Sequence, residues 1–306
     1  MRKFPAACMG MVMAGLAGCA TPIEKGPDIG HYLAAPSPYR LVEVMSGKEN
    51  RERRNILEQA LTASGISYRS DPFVHEGREG TNIFADLGTK SPTLIVAAHF
   101  DRTMGSPGAN DNASCVAAAV SAYEMLAGGD PLQHIKLRFL FPDMEERGLI
   151  GSRNYIKNQG VDDVIGVISF EMCGIGDAFG IWDVRDGLAA SLPVRALQAA
   201  GKANNVYNAT HGPVPRYSSD HHVFFLEGIP AVGVTMLPKT DETVLRDYIE
   251  NPNAFKWIST SNRPTIFQTY HTAEDAPATL NPETLEMTAR IIVSTAQEFD
   301  RLAGEK

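Results

Sequence analysis

Four runs of apolar, β-branched residues stand out along the chain, at 93–98, 135–141, 164–170 and 229–235. They are continuous rather than alternating, and a strand with no polar side must be covered on both faces. Spacing at three and four residues predicts helices over 51–63, 113–126, 151–158, 188–203 and 282–302. Strands and helices that alternate in this way predict an α/β fold: a single mixed, mostly parallel β-sheet with helices on both faces. From about residue 40 to 306 there is no second linker, low-complexity tract or repeat, so one domain is expected there.

The first forty residues read differently. Arg2 and Lys3 precede a short apolar stretch at 6–16, about half of the roughly 20 residues needed to cross a bilayer. It closes on Leu16-Ala17-Gly18-Cys19, which resembles the lipobox of bacterial lipoproteins. The resemblance implies a signal peptide over 1–18 and lipidation at Cys19; a plain secretory signal cut near Ala20 is the alternative. With Ala20 rather than an aspartate next, it implies an exported, lipid-anchored protein on the outer membrane, facing the periplasm. Pro22, Pro27, Pro36 and Pro38 without periodicity suggest a flexible tether over 19–39, and about 20 such residues reach roughly 25 Å.

Composition removes several classes. The chain has 306 residues, 43% hydrophobic and 21% charged, which is globular usage. Lys and Arg number 28 against 36 Asp and Glu, for a net charge of −8, and no basic run exceeds the Arg51 to Arg54 cluster, so no nucleic-acid partner is expected. Loss of Arg2 and Lys3 with the signal would deepen the charge to −10. Four cysteines without a CxxC pair suggest neither a disulfide scaffold nor a zinc ribbon.

Ligands of open α/β sheets bind beyond the carboxyl ends of the strands. Here those ends carry metal-ligand residue types: His99-Phe100-Asp101 after the first run, Asp143-Met144-Glu145-Glu146 after the second and Glu171 after the third. Singly, His99 reads as a satisfied core histidine and Glu145-Glu146 as a solvated loop pair; three converging strand ends change that reading. Two loops add donors, Asn110-Asp111-Asn112 before a helix and Tyr270-His271 near the C-terminus. There is no HExxH, GxSxG or P-loop.

The segments AAHFD, GANDNAS, EERGLIGS, SSDHHVFFLEGIPA and YHTAED follow the order and rough spacing of the co-catalytic di-zinc aminopeptidases, over about residues 90 to 300. This zinc-exopeptidase family, which the chain resembles, also holds glutamate carboxypeptidases and, more distantly, glutaminyl cyclases. The resemblance implies two Zn²⁺ ions bridged by Asp111, with His99 and Glu171 on one and Glu146 and His271 on the other. Imidazole and carboxylate suit zinc, and three protein ligands per ion leave a position open. It further implies Glu145 as general base, Asp101 behind the His99 imidazole, and Tyr270 as a hydrogen-bond donor to the oxyanion, with a core tyrosine as the other reading of Tyr270. Asp275 is expected to support the ligands, and Asp220, His221 and His222 to shape the site without binding metal.

The implied activity is removal of N-terminal residues from a peptide substrate. Glutaminyl cyclase-like and carboxypeptidase activities are the enzymatic alternatives, the latter with Arg216 as the one candidate cation for a terminal carboxylate, although Arg216 reads first as a solvated surface arginine. A non-catalytic binding module would show lost ligands, and none is lost. Nothing in the chain specifies an oligomer. Three departures from the family pattern stand out: Glu171 where aspartate is general, Asn112 where a second aspartate is common, and Cys115 where glycine is frequent. Cys115 and Cys173 are expected to be buried free thiols, a disulfide being the alternative in an oxidising periplasm.

Overall fold

A computed structural model of the chain describes residues 23–305. The expected signal peptide and Cys19 lie outside the described residues. Three helices lead, α1 (Ile29–Ala34), α2 (Pro38–Met45) and α3 (Asn50–Ala63), followed by the hairpin of β1 (Arg69–His75) and β2 (Arg78–Leu87). Alternation then sets in with β3 (Thr93–Ala97), α4 (Cys115–Ala127), β4 (Lys136–Phe141), α5 (Ile150–Gln159), β5 (Val164–Phe170) and β6 (Ala178–Trp182). The chain ends with α6 (Leu192–Ala203), β7 (Tyr207–Thr210), α7 (His221–Leu226), β8 (Ala231–Leu237), α8 (Glu242–Glu250) and α9 (Pro282–Gly304).

The eight strands form one sheet in the order β1-β2-β4-β3-β5-β8-β6-β7. Its centre is parallel, β4 to β3, β3 to β5 and β5 to β8, while β1-β2, β2-β4 and β6-β8 pair antiparallel. The four apolar runs are the parallel centre, and every residue of β3 and β8 is buried. One face is covered by α2, α3, α4, α6 and α9 with a core around Leu94, Val96, Val116 and Ile292. The other is covered by α5 and α7 around Ile95, Leu140, Tyr155 and Phe224.

Missed elements are those without a long apolar signal. β1 alternates with only Asp71 and Phe73 buried, as an edge strand does, and β7 buries no residue. The helix expected over 188–203 is two pieces. A 3₁₀ turn at Leu188–Ala190 ends at Ser191, and α6 restarts with Pro193 in its first turn, where a missing N–H costs nothing.

The tether expected through residue 39 is corrected over its second half, which is folded. Asp28 accepts from the Gly30 amide and Ser37 from the Arg40 amide, so α1 and α2 are each capped, and Pro36 and Pro38 mark helix boundaries rather than a linker. Tyr32 is buried, and the Tyr39 hydroxyl donates to the Pro277 carbonyl at 3.2 Å. Gly26 donates to the Ser46 carbonyl, and a Cβ on Gly26 would stand 1.8 Å from the Glu43 oxygen. The chain is therefore bound to the domain from about Gly26 onward.

Cys115 and Cys173 also depart from expectation: they are disulfide-bonded, with Cα atoms 5.2 Å apart. Neighbouring strands β3 and β5 bring the start of α4 beside the loop after β5, a juxtaposition across 58 residues of sequence. Closing a loop of that length restricts the unfolded chain by about 4 kcal/mol. Cys115→Ala combined with Cys173→Ala is expected to lower unfolding stability by about that amount. Denaturant midpoints that coincide for the double variant and the oxidised protein would refute the cross-link in solution.

Candidate metal centre

The predicted ligands come from five segments and meet at the carboxyl end of the parallel strands. His99 and Asp101 follow β3, Asp111 lies in the tight turn Ala109–Ser114 that leads into α4, Glu145 and Glu146 open a 3₁₀ turn after β4, and Glu171 follows β5. His271 arrives from the loop before α9 with a left-handed backbone, φ +58°. His99 Nε2 lies 3.3 Å from Asp111 Oδ1 and 3.3 Å from Glu171 Oε2. His271 Nε2 lies 3.2 Å from Asp111 Oδ2 and 2.9 Å from Glu146 Oε2. Two triads result, His99-Asp111-Glu171 and Asp111-Glu146-His271, each with ligand atoms within 4.8 Å of one another. Asp111 faces one triad with each oxygen.

Supporting groups aim these ligands. Asp101 is wholly buried; it accepts from the backbone amides of Glu145 (3.0 Å) and Glu146 (3.2 Å), and its Oδ1 stands 3.2 Å from His99 Nδ1 without hydrogen-bond alignment. One carboxylate thus ties two strand ends together. Asp275 does the same for the bridging turn, accepting from the amides of Asn110 (2.7 Å) and Asp111 (3.2 Å) and from the Ser106 hydroxyl. Three contributors escaped the sequence reading. Ser219 and Ser169 both donate to Glu171 Oε1; Ser169 stands inside a strand with no motif around it, and Ser219 lies in the SSDHHVFFLEGIPA segment, where nothing local shows which side chain it meets. Arg53, on α3, is fully buried and donates to the carbonyls of Phe100, Met45, Pro107 and Gly108, bracing the loop between His99 and Asp111 from behind. Gly108 is left-handed, φ +69°, and a Cβ there would meet Arg53 Nη1 at 3.0 Å.

The electrostatics indicate what is to be held. Burial raises the Glu146 carboxyl, and Asp111 raises it further against the pull of His271 and His99. Burial disfavours the charged His271 ring, yet the Asp111 and Glu146 carboxylates push it up to about 9. Likewise His99 is raised well above the ordinary histidine range, its burial outweighed by Glu171, Glu145 and Asp101. Carboxylates crowded out of water and drawing protons onto imidazoles describe a site in deficit of positive charge. Glu146 Oε1 is buried with no hydrogen-bond partner. A pair of divalent cations with nitrogen and oxygen preferences fits these donors.

Glu145 belongs to neither triad. Its Oε2 is 4.0 Å from His99 Nε2, it lines the same cavity as all the ligands but His271, and burial raises its carboxyl, opposed by His99 and reinforced by Asp220, Glu171 and Asp101. Tyr270 stacks on His271 with centroids 3.7 Å apart and also lines the cavity. Burial raises its phenol, and the Asp111 and Glu146 charges add to this. Asp220 and His221 stay out of both triads: Asp220 accepts from Ser152, and His221 is hydrogen-bonded to Asp183 at 3.1 Å. His222 is half-buried, its Nδ1 3.9 Å from Asp183 Oδ2. Arg216 is exposed, donates to Asn253 and does not line the cavity.

The cavity extends from the triads as a space of about 600 Å³, partly open to solvent, walled by Met172, Trp182, Val214, Leu245 and Phe267. These belong to a third apolar cluster built from the ends of β6 and β8, α8 and the loop 251–270. Among the described residues, no Lys or Arg lines it.

Comparison with known proteins agrees with this geometry. The chain is 27% identical over 234 residues to leupeptin-inactivating enzyme 1 of Streptomyces exfoliatus, covering 74% of this chain and 50% of that protein. It spans half or less of the length of the first curated relatives it matches. Among solved structures, the LapA aminopeptidase of Legionella pneumophila superposes with a TM-score of 0.63 at 18% identity, over 88% of this chain and 69% of that one. A glutaminyl cyclase of Porphyromonas gingivalis does so with a TM-score of 0.65 at 19% identity, over 86% and 97%. At such identities these two likenesses establish the fold alone. Residues 82–296, which carry all five triad residues and Glu145, match peptidase family M28, and the chain belongs to that family.

Proposed function

We propose that this protein is a zinc-dependent aminopeptidase that hydrolyses N-terminal residues from peptides. The observation that carries the reading is Glu145: a part-buried carboxylate outside both ligand triads, 4.0 Å from a ligand nitrogen and facing the cavity that adjoins them. His99, Asp111 and Glu171 would hold one zinc ion and Asp111, Glu146 and His271 a second. Zinc bound there supplies Lewis acidity, polarising the scissile carbonyl and lowering the pKa of a water in its field. Glu145 accepts the proton of the attacking water and returns it to the departing amine nitrogen. Asp101, through its two accepted amides, keeps Glu145 and Glu146 turned to opposite tasks, one toward the proton and one toward metal. Tyr270, which stacks on His271 and lines the same cavity, would donate its hydroxyl to the oxygen that becomes negative as the carbonyl is attacked.

The same charges orient substrate. An α-ammonium group is drawn to a rim of carboxylates, whereas a terminal carboxylate needs a cation, and the cavity lining has none. This supports an aminopeptidase over a carboxypeptidase. The lipobox-like Leu16 to Cys19 segment supports export and anchoring by a lipid at Cys19, on the outer membrane facing the periplasm. With the chain folded onto the domain from about Gly26, only a few residues separate that anchor from the enzyme.

Glu145→Gln is expected to keep zinc content and fold while lowering kcat by about 10²- to 10⁴-fold. Metal analysis with a panel of aminoacyl, N-terminal glutaminyl and C-terminally free substrates measures this; undiminished turnover in the variant would remove Glu145 as the base, and cyclisation of the glutaminyl substrate without hydrolysis of the others would replace the aminopeptidase reading. Cys19→Ser is expected to move the protein from the membrane to the soluble fraction. Retention on membranes through a high-salt wash would refute the lipid anchor.

A further inference from the structure

The cavity beside the ligands is apolar on its walls and polar on its floor, and nothing in the hydrolytic chemistry uses that floor. Strands β6 and β8 build it. Their register sets Gly180 opposite Thr235 and Trp182 opposite Gly233, and Gly180, Trp182 and Thr235 all line the cavity. Thr235 Oγ1 accepts from Trp182 Nε1 at 3.1 Å, which leaves the hydroxyl hydrogen free to donate. His211, just past β7, closes the floor from the side. Its backbone is fixed at both ends, its amide donating to Ile181 and its carbonyl accepting from Val184. The residue is 8% exposed, and Nε2 is buried with no hydrogen-bond partner.

Gly180 leaves space in front of the His211 imidazole. A Cβ at that position would stand 3.4 Å from His211 Cδ2 and 3.7 Å from Nε2, so any side chain there would fill the floor in front of the imidazole. Burial lowers the pKa of His211, with Arg246 acting in the same sense and Glu242 against them. The ring is therefore neutral near pH 7, with one nitrogen a donor and the other an acceptor. A buried, unpartnered nitrogen is costly unless something completes it.

We propose that His211 and Thr235 are specificity-determining residues that select substrates with an N-terminal tyrosine over phenylalanine. The proposal rests on the aminopeptidase reading for the direction in which the substrate enters. With the α-ammonium at the carboxylates, the first side chain enters between Met172, Val214, Leu245, Ile266, Phe267 and Tyr217, walls that suit a large flat ring. The end of that ring meets the polar floor. A phenol completes it, since its hydroxyl can donate to the free imidazole nitrogen and accept from the threonine hydroxyl. Phenylalanine reaches the same depth, leaves the imidazole nitrogen unpaired and takes no hydrogen bond from the threonine hydroxyl.

Sites built to hydrogen-bond a substrate hydroxyl discriminate against the analogue that lacks it, and for neutral partners the effect is about 10- to 100-fold. The zinc-loaded full chain is tested by calorimetric binding of L-tyrosinamide against L-phenylalaninamide, and by kcat/KM for the corresponding aminoacyl coumarin amides. The tyrosyl compounds are expected to be preferred by about 10- to 100-fold. His211→Leu and Thr235→Val should each reduce the ratio, and His211→Gln, which keeps a donor and an acceptor, should retain more of it than His211→Leu. Equal binding of the two amides by the unmodified protein overturns the proposal however the variants fold. A preference that persists undiminished in both His211→Leu and Thr235→Val also overturns it. Preferential binding of tyrosinamide without turnover of either coumarin amide sustains the floor while removing the aminopeptidase reading, so the two failures are distinguishable.

Discussion

The structure depends on keeping acidic groups together where water cannot screen them. Asp111 presents one oxygen to each triad, and Glu146 and Glu171 close in from either side, with Glu145 against His99. Such crowding is unfavourable without cations, since each buried carboxylate raises the cost of ionising its neighbour. The raised imidazoles of His99 and His271 show where positive charge is wanted. A fold that holds this cluster must resist the tendency of its loops to move apart, and much of the architecture near the strand ends serves that purpose.

The restraints are arranged behind the ligands rather than among them. Asp101 and Asp275 each accept two consecutive backbone amides, so each fixes a turn rather than a single side chain. Arg53 fills the opposite side of the loop from residue 100 to 108 with a charge surrounded by carbonyl oxygens. It comes from α3, outside the segment that matches the peptidase family, which gives the N-terminal helices a part in the site as well as in the core. The Cys115–Cys173 disulfide adds a covalent tie four residues past Asp111 and two past Glu171. Loops restrained in these ways can present ligands with little reorganisation, which is what a preorganised site requires.

Beside this rigid cluster lies a cavity of opposite character. Its walls are the third apolar cluster, assembled from strand ends, α8 and a loop that carries Ile266, Phe267 and Tyr270. Tyr270 belongs to both, since it stacks on His271 and packs against Tyr217 at 5.3 Å. The ligand cluster and the cavity therefore share a wall.

The sequence by itself determined the central sheet, the ligand segments and their order. Short continuous runs rich in β-branched residues fit strands covered on both faces, whereas the equally continuous but alanine-rich run at 115–120 is helix α4, and ligand-type residues directly after three of the strand runs have one rim on which to meet. It did not determine the edge strand β1, whose half-exposed alternation is weak, or the break before α6, which depends on where Pro193 falls in its turn. Tertiary structure alone decided the rest. Prolines near residue 37 became helix boundaries because Tyr32 and Tyr39 found partners on the domain, and two cysteines 58 residues apart became a disulfide because adjacent strands carried them together. Ser219, Arg53 and His211 act through contacts between segments distant in sequence, and local pattern holds no record of such contacts.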